Sequence, residues 1–385
     1  MKISLALILA ASFALTGCSA NLALPEKSDI TTTAAVETHE EQMYTPLNYK
    51  NQTAMWFPYV DFPEYMQSRS EQEFTEAVTD MLTEASENGI NTIYFHIHPE
   101  GDAYYSSEIH PKGTYLDENY DPLKIVLDIA HSMGISVHGW INPYRLQTAE
   151  KMETIPDSYI VKQWIESESP MVVLSGDRWY LNPIYHAVND LISRTVQEII
   201  ENYPVDGIHI DDYFYPTDDE SFDKAEYEAY INGGGTLDLS SYRREVISSL
   251  VKNLCSTVKA FGEDKMFSVS PSADIDKNMN VLFADVKRWG SEEGFCDMII
   301  PQIYFGFENE SKPFYETASL WREIVTNSSE LCAGLALYKV GKEDGFAGKG
   351  KNEWIENKDI ISGQIAAAKE LGYSGACFYS VSYMN

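Results

Sequence analysis

Apolar and polar positions alternate along this chain in two rhythms: short runs rich in β-branched and aromatic residues, and longer runs with an apolar period near 3.6. The short runs predict strands near 54–60, 91–97, 135–140, 206–211, 266–270, 297–303, 331–337 and 374–379. The longer runs predict helices near 71–88, 121–133, 186–202, 240–261, 281–290, 312–327 and 358–371. Strands alternating with helices imply an α/β fold with a parallel sheet, and eight strands close a (β/α)8 TIM barrel. Helix-to-strand links are short and place glycine where a helix should end, as in Asn88-Gly89-Ile90 and Leu371-Gly372-Tyr373. Links after strands two, three, four and seven are long and hold most of the Tyr, Trp, Asp and Asn. Loops beyond the strand ends are where barrel enzymes carry their chemistry. The pattern supplies no regular eighth helix before Asn385, so either an N-terminal segment covers that gap or the barrel is incomplete there.

The first residues follow a different rule. Lys2, an apolar run from Ile3 to Leu15 and then Leu15-Thr16-Gly17-Cys18 read as a secretory signal ending in a lipobox. Cys18 is therefore the expected lipidation site, anchoring the protein to the outside of a bacterial membrane. Residues 19–50 are rich in Thr, Ala, Glu and Ser without apolar period, which predicts a flexible tether. Residues 51–385 read as one barrel domain without linker or internal repeat. Cys255, Cys296, Cys332 and Cys377 show no CxxC spacing, so neither a zinc site nor a disulfide framework is indicated. With 28 Lys and Arg against 59 Asp and Glu, the net charge of -31 argues against nucleic acid or an anionic lipid surface as partner.

Candidate chemistry concentrates at the strand ends. Strand four runs into paired carboxylates in Val205-Asp-Gly-Ile-His-Ile-Asp-Asp-Tyr-Phe-Tyr-Pro216. Side chains alternate along a strand, so His209 and Asp211 share one face and Ile208 and Ile210 the other. Asp212, Tyr213 and Tyr215 lie beyond it. Strand two runs out through His96 and His98 to Glu100 and Asp102, and strand three ends in His138 and Trp140, with Asn142, Tyr144 and Arg145 beyond. Gln302 and Tyr304 end strand six, with Glu308 on the next loop. Arg145 can pair with an aspartate or hold a substrate group through its fork. The aromatic residues at these ends, with Tyr104, Tyr105, Trp179 and Tyr338, suit stacking on sugar rings.

Together these segments resemble the glycosyl hydrolase-like 10 family of exported bacterial TIM-barrel proteins. The resemblance runs through Gly101-Asp102-Ala103, Asp121-Pro122-Leu123, Ala130-His131, His138-Gly-Trp-Ile-Asn-Pro-Tyr-Arg145, Leu181-Asn182-Pro183, the strand-four motif and Pro301-Gln302-Ile303-Tyr304. It implies glycan hydrolysis in the cell envelope, with peptidoglycan glycan strands as substrate. This chain departs from the family in carrying His98 where arginine usually precedes the proline. The strand-four segment also looks like that of chitinases, but Tyr213 stands where their catalytic glutamate falls.

The expected function is a two-carboxylate glycoside hydrolase without cofactor or metal, acting on a polysaccharide. Strand parity assigns Asp211 as nucleophile or charge stabiliser. Asp212, Glu308, Asp102 and Glu100 are candidates for the proton donor, and Asp212 is favoured by its neighbour's charge. Two rivals are a non-catalytic glycan-binding lipoprotein and a metal-dependent deacetylase using His96, His98, His138, His209 and Asp211.

Overall fold

The computed structural model describes residues 44–384. The signal segment, Cys18 and the tether up to residue 43 lie outside the described residues. The strands are β1 (Thr53–Phe57), β2 (Thr92–His98), β3 (Ser136–Ile141), β4 (Arg145–Thr148), β5 (Val172–Ser175), β6 (Arg178–Leu181), β7 (Gly207–Ile210), β8 (Met266–Val269), β9 (Met298–Ile299), β10 (Glu330–Ala336) and β11 (Gly375–Tyr379). Eight of them close a parallel barrel in the order β1-β11-β10-β9-β8-β7-β3-β2, so the expected TIM barrel is what the chain forms. Strands β4, β6 and β5 make a small antiparallel sheet inside the long connection between β3 and β7, an element the hydrophobic pattern did not announce.

The barrel separates two cores. Outward-facing Ile93, Phe95, Ile97, Ile208 and Ile210 join the large cluster under the helices. Inside, Trp56, Tyr94, Trp140, Met298, Ile300, Cys332 and Cys377 pack together, filling the interior with rings and sulfur rather than branched aliphatics. Gly207 is required by contact: a Cβ there would lie 2.2 Å from the Met266 carbonyl oxygen and 2.7 Å from His138 Nδ1. All four cysteines from Cys255 to Cys377 are buried free thiols.

Two expected elements differ for local reasons. The helix expected over 281–290 forms only over Val286–Ser291, after a separate short helix Ile275–Asn280, because Phe283 between them takes a φ of 48°, which no helix accommodates. The sixth strand is regular only over Met298–Ile299, since Pro301 has no N–H to offer a neighbouring strand.

Residues 44–49, which composition placed in the tether, are fixed across the N-terminal end of the barrel. Tyr44 and the Leu47 N–H donate to Asp206, and Asn48 and Tyr49 donate to the Asp206 and Gly134 carbonyls. They do not replace the missing eighth helix. Among the described residues only a 3-10 turn, Val381–Tyr383, follows β11. The gap remains a groove of about 360 Å³ between Gln52, Thr53, Ile365 and Lys369.

Candidate active site

At the C-terminal ends of the strands a cavity of about 400 Å³ opens, within the roughly 300–1,000 Å³ usual for small-ligand sites. Trp56 from β1 and Trp140 from β3 line its walls with Tyr304 and Tyr379, and Tyr59, Tyr213, Tyr338 and Tyr383 surround them. The polar groups on the same walls are Asp61, His96, Asp211, Asp212 and Gln302.

Trp56 is set by a chain of hydrogen bonds beneath the cavity. Its Nε1 donates to His209 Nε2 at 3.1 Å, so His209 carries its proton on Nδ1 and donates it to Ser268 Oγ at 2.8 Å. Burial holds His209 far below the usual histidine pKa, so the ring is neutral. His96 stacks on Trp140 with ring centroids 3.7 Å apart and planes within 6°. His96 is likewise kept neutral, first by burial and then by the nearby Arg145 charge.

The adjacent carboxyls differ in their surroundings. Asp211 is buried and accepts the Tyr213 N–H at 3.1 Å. Burial, then the charge of Asp212, push its pKa well above the carboxylate range. Burial also raises Asp212, against the lowering effects of Lys277 and Gln302. Both carboxyls are therefore held above the ordinary carboxylate range, and Asp211, the more deeply buried, is pushed further.

The structure brings together Asp211, Asp212, Trp140, Tyr213, Gln302 and Tyr304 from the expected site residues, with His96 and Tyr338. Others lie elsewhere. Asp102 is buried in its own loop, accepting the Glu100 and Thr114 N–H groups at 3.1 and 3.2 Å, and burial lifts its pKa to about 6. Tyr144 donates to Asn189 at 3.1 Å and Asn142 to the Pro99 carbonyl at 3.1 Å, both away from the cavity walls. Tyr215 is buried against Asp223 and Arg243. Glu308 is exposed, and its backbone N–H bonds to Glu353. Arg145 stacks over the rim rings Tyr213 and Tyr59 at 4.7 and 5.5 Å and pairs with Glu100 at 3.4 Å.

The histidines that a metal reading would combine are dispersed. A register shift in β2 between His96 and His98 breaks the expected i, i+2 alignment. His98 turns to the Asp102 carbonyl at 2.7 Å and packs at a tilt against the His110 ring. His138 lies deeper, against Ser136 Oγ at 3.1 Å. Among the described residues no group of three His, Cys, Asp or Glu is arranged to hold an ion.

Sequence reasoning missed Trp56, Tyr59, Asp61, Tyr379 and Tyr383 as wall residues. A signal existed: they stand at the ends of the first and last strands, and parity turns Trp56 inward.

The profile of the family described as glycosyl hydrolase-like 10 matches residues 51–354. A relative from Escherichia coli O6:H1, glycosyl hydrolase DigH, is 32% identical over 349 residues, covering 80% of this chain and 76% of its own. Glycosyl hydrolase YngK of Bacillus subtilis is 28% identical, covering 73% of this chain and 59% of its own. Among solved structures, the glycoside hydrolase domain of PgaB from Bordetella bronchiseptica aligns with a TM-score of 0.57 at 12% identity, covering 82% of this chain and 91% of that one. The catalytic domain of a Paenibacillus polymyxa β-amylase aligns with a TM-score of 0.55 at 10% identity, covering 86% and 92%. These two share the barrel fold. From the profile match and the identity to DigH, the chain belongs to the glycosyl hydrolase-like 10 family.

Proposed function

We propose that this protein hydrolyses O-glycosidic bonds in an envelope polysaccharide, with peptidoglycan glycan strands as substrate. The observation that carries this reading is the placement of Asp211 and Asp212 on the wall of an aromatic cavity at the catalytic end of a barrel. One shared proton supplies the acid and the carboxylate that glycoside hydrolysis needs. Asp211, which retains the proton, protonates the leaving oxygen. Asp212, beside Gln302 and under the influence of Lys277, carries the charge that stabilises the oxocarbenium-like transition state. This reverses the roles that strand parity suggested, because burial outweighs position along the strand. The aromatic walls stack on the sugar faces, and the names of the DigH and YngK relatives agree with a hydrolytic role.

The lipobox sequence supports a protein held outside a bacterial membrane through Cys18, a residue outside the described ones. The test is incubation of the protein with peptide-free peptidoglycan glycan, with chitin oligosaccharides and with α-glucans, products being read by mass. New reducing ends are expected from the first substrate and none from α-glucans. Binding of glycan without release of any product would replace this reading with that of a glycan-binding lipoprotein.

A further inference from the structure

The cavity carries a charge pattern that bears on which sugar it holds. Asp61, Asp211 and Asp212 line it, and among the described residues no Lys or Arg does. Asp61 belongs to the turn after β1, on a different wall from the strand-four pair, and accepts a hydrogen bond from Ser380 Oγ at 2.8 Å. Arg145 is not a lining residue and is committed to Glu100 and the two rim rings. The other polar side chains of these walls are uncharged: His96, 1% exposed, lies beside Asn142, and the Trp140 indole lies beside Asp211. A neutral imidazole and an indole N–H bring hydrogen-bonding capacity to these walls but no positive charge to balance a carboxylate. A carboxylate entering the cavity would meet the charge of Asp212 and the carboxyl of Asp61 on its walls, while the nearest guanidinium, Arg145, is already taken up by Glu100 and the rim rings.

Peptidoglycan strands alternate a neutral 2-acetamido sugar with one bearing a lactyl carboxylate. Resting on the hydrolase reading above, we propose that the sugar lodged in the cavity is the neutral one, and that Asp61 helps to exclude its acidic neighbour. Cleavage then breaks the bond between the anomeric carbon of N-acetylglucosamine and the bridging oxygen. The carbon gains the oxygen of water, and the bridging oxygen leaves with a proton on the muramic acid side. N-acetylglucosamine becomes the new reducing end.

Digestion of peptide-free strands, borohydride reduction and mass identification of the reduced sugar test this. N-acetylglucosaminitol is expected in at least about tenfold excess over muramitol. Equal amounts, or an excess of muramitol, overturn the inference. In Asp61→Asn the excess should shrink severalfold, and an unchanged ratio removes Asp61 from the account. Binding separates this inference from the hydrolase reading. Tighter calorimetric binding of chitotriose than of the carboxylate-bearing strand supports the neutral cavity even if nothing is cleaved, an outcome that overturns hydrolysis alone. Equal or tighter binding of the acidic strand overturns the cavity assignment whether or not cleavage occurs.

Discussion

Strand β7 has an aspartate at each end, and the two are opposites. Asp206, just before it, is fully buried and accepts hydrogen bonds from Tyr44 Oη at 2.7 Å, the Leu47 N–H at 2.6 Å, His131 Nε2 at 2.9 Å and the Val137 N–H at 2.6 Å. Asp211, just after it, is nearly as buried and takes the Tyr213 N–H as its backbone donor at 3.1 Å. Burial alone would raise both. At Asp206 the donors win and its pKa is lowered, whereas at Asp211 burial wins and the pKa rises. The same residue type thus serves stability at the N-terminal end of the barrel and is left under-satisfied at the end where substrate arrives.

The comparison breaks most visibly if the upper pair turns out to be structural. Asp212→Asn should lower kcat by about 10³-fold or more on every substrate, with glycan affinity retained, since a charge acting on the transition state adds little to ground-state binding. Asp211→Asn should be nearly as damaging on natural glycans but much milder on aryl glycosides with a good leaving group, which need little protonation. Steady-state kinetics on both substrate types check this. Wild-type rates in both variants would sink the site, and the opposite leaving-group pattern would exchange the two roles. At the lower end the expected loss is in stability. Asp206→Ala strands the buried Val137 N–H together with Tyr44 and His131, and should cost about 3 kcal/mol in urea unfolding with kcat of the folded fraction unchanged.

The difference between the ends also explains what could be read from the sequence. All eight barrel strands were legible because each is a short apolar run bounded by turn residues, and the run around Ile208 and Ile210 fixed which face looks inward. The strand-four aspartates were legible because a buried strand running into charge is unusual. Asp206 gave no comparable signal, since its meaning lies in contacts to residues 44–49, a segment whose composition resembles a tether. Tyr144, Tyr215 and Asp102 looked like site residues because they sit in the right loops. Their partners, Asn189, Asp223 and the Thr114 N–H, are 45, 8 and 12 positions away, and only the folded chain selects them over substrate. The β2 register shift that parts His98 from His96 also has no local sequence mark.

The smallest effect is also the sharpest test of the comparison, because its sign differs between the two ends. A carboxyl whose folded pKa lies below its unfolded one adds stability above the ordinary carboxylate value and loses it as pH falls through the folded pKa. Asp206 is of this kind. Asp206→Asn should therefore be less stable than wild type at neutral pH, with the deficit shrinking only below about pH 4. A carboxyl whose folded pKa is raised binds its proton in the folded form where the unfolded form has released it, so stability falls as pH rises from the ordinary value toward the folded one. Asp211 is of this kind. Asp211→Asn removes that cost and should be more stable than wild type at pH 7, by about 1 kcal/mol, as expected where an active site trades stability for chemistry. Its advantage should fade as pH approaches about 4, where wild-type Asp211 is protonated in both states. Urea unfolding of the three proteins between pH 3 and 8 reads both trends. If Asp211→Asn is destabilised at neutral pH with the same profile as Asp206→Asn, the carboxyl above β7 is held as firmly as the one below it. Asp211 would then be a structural anchor, and the proton it was assigned would have to come from elsewhere on the cavity wall.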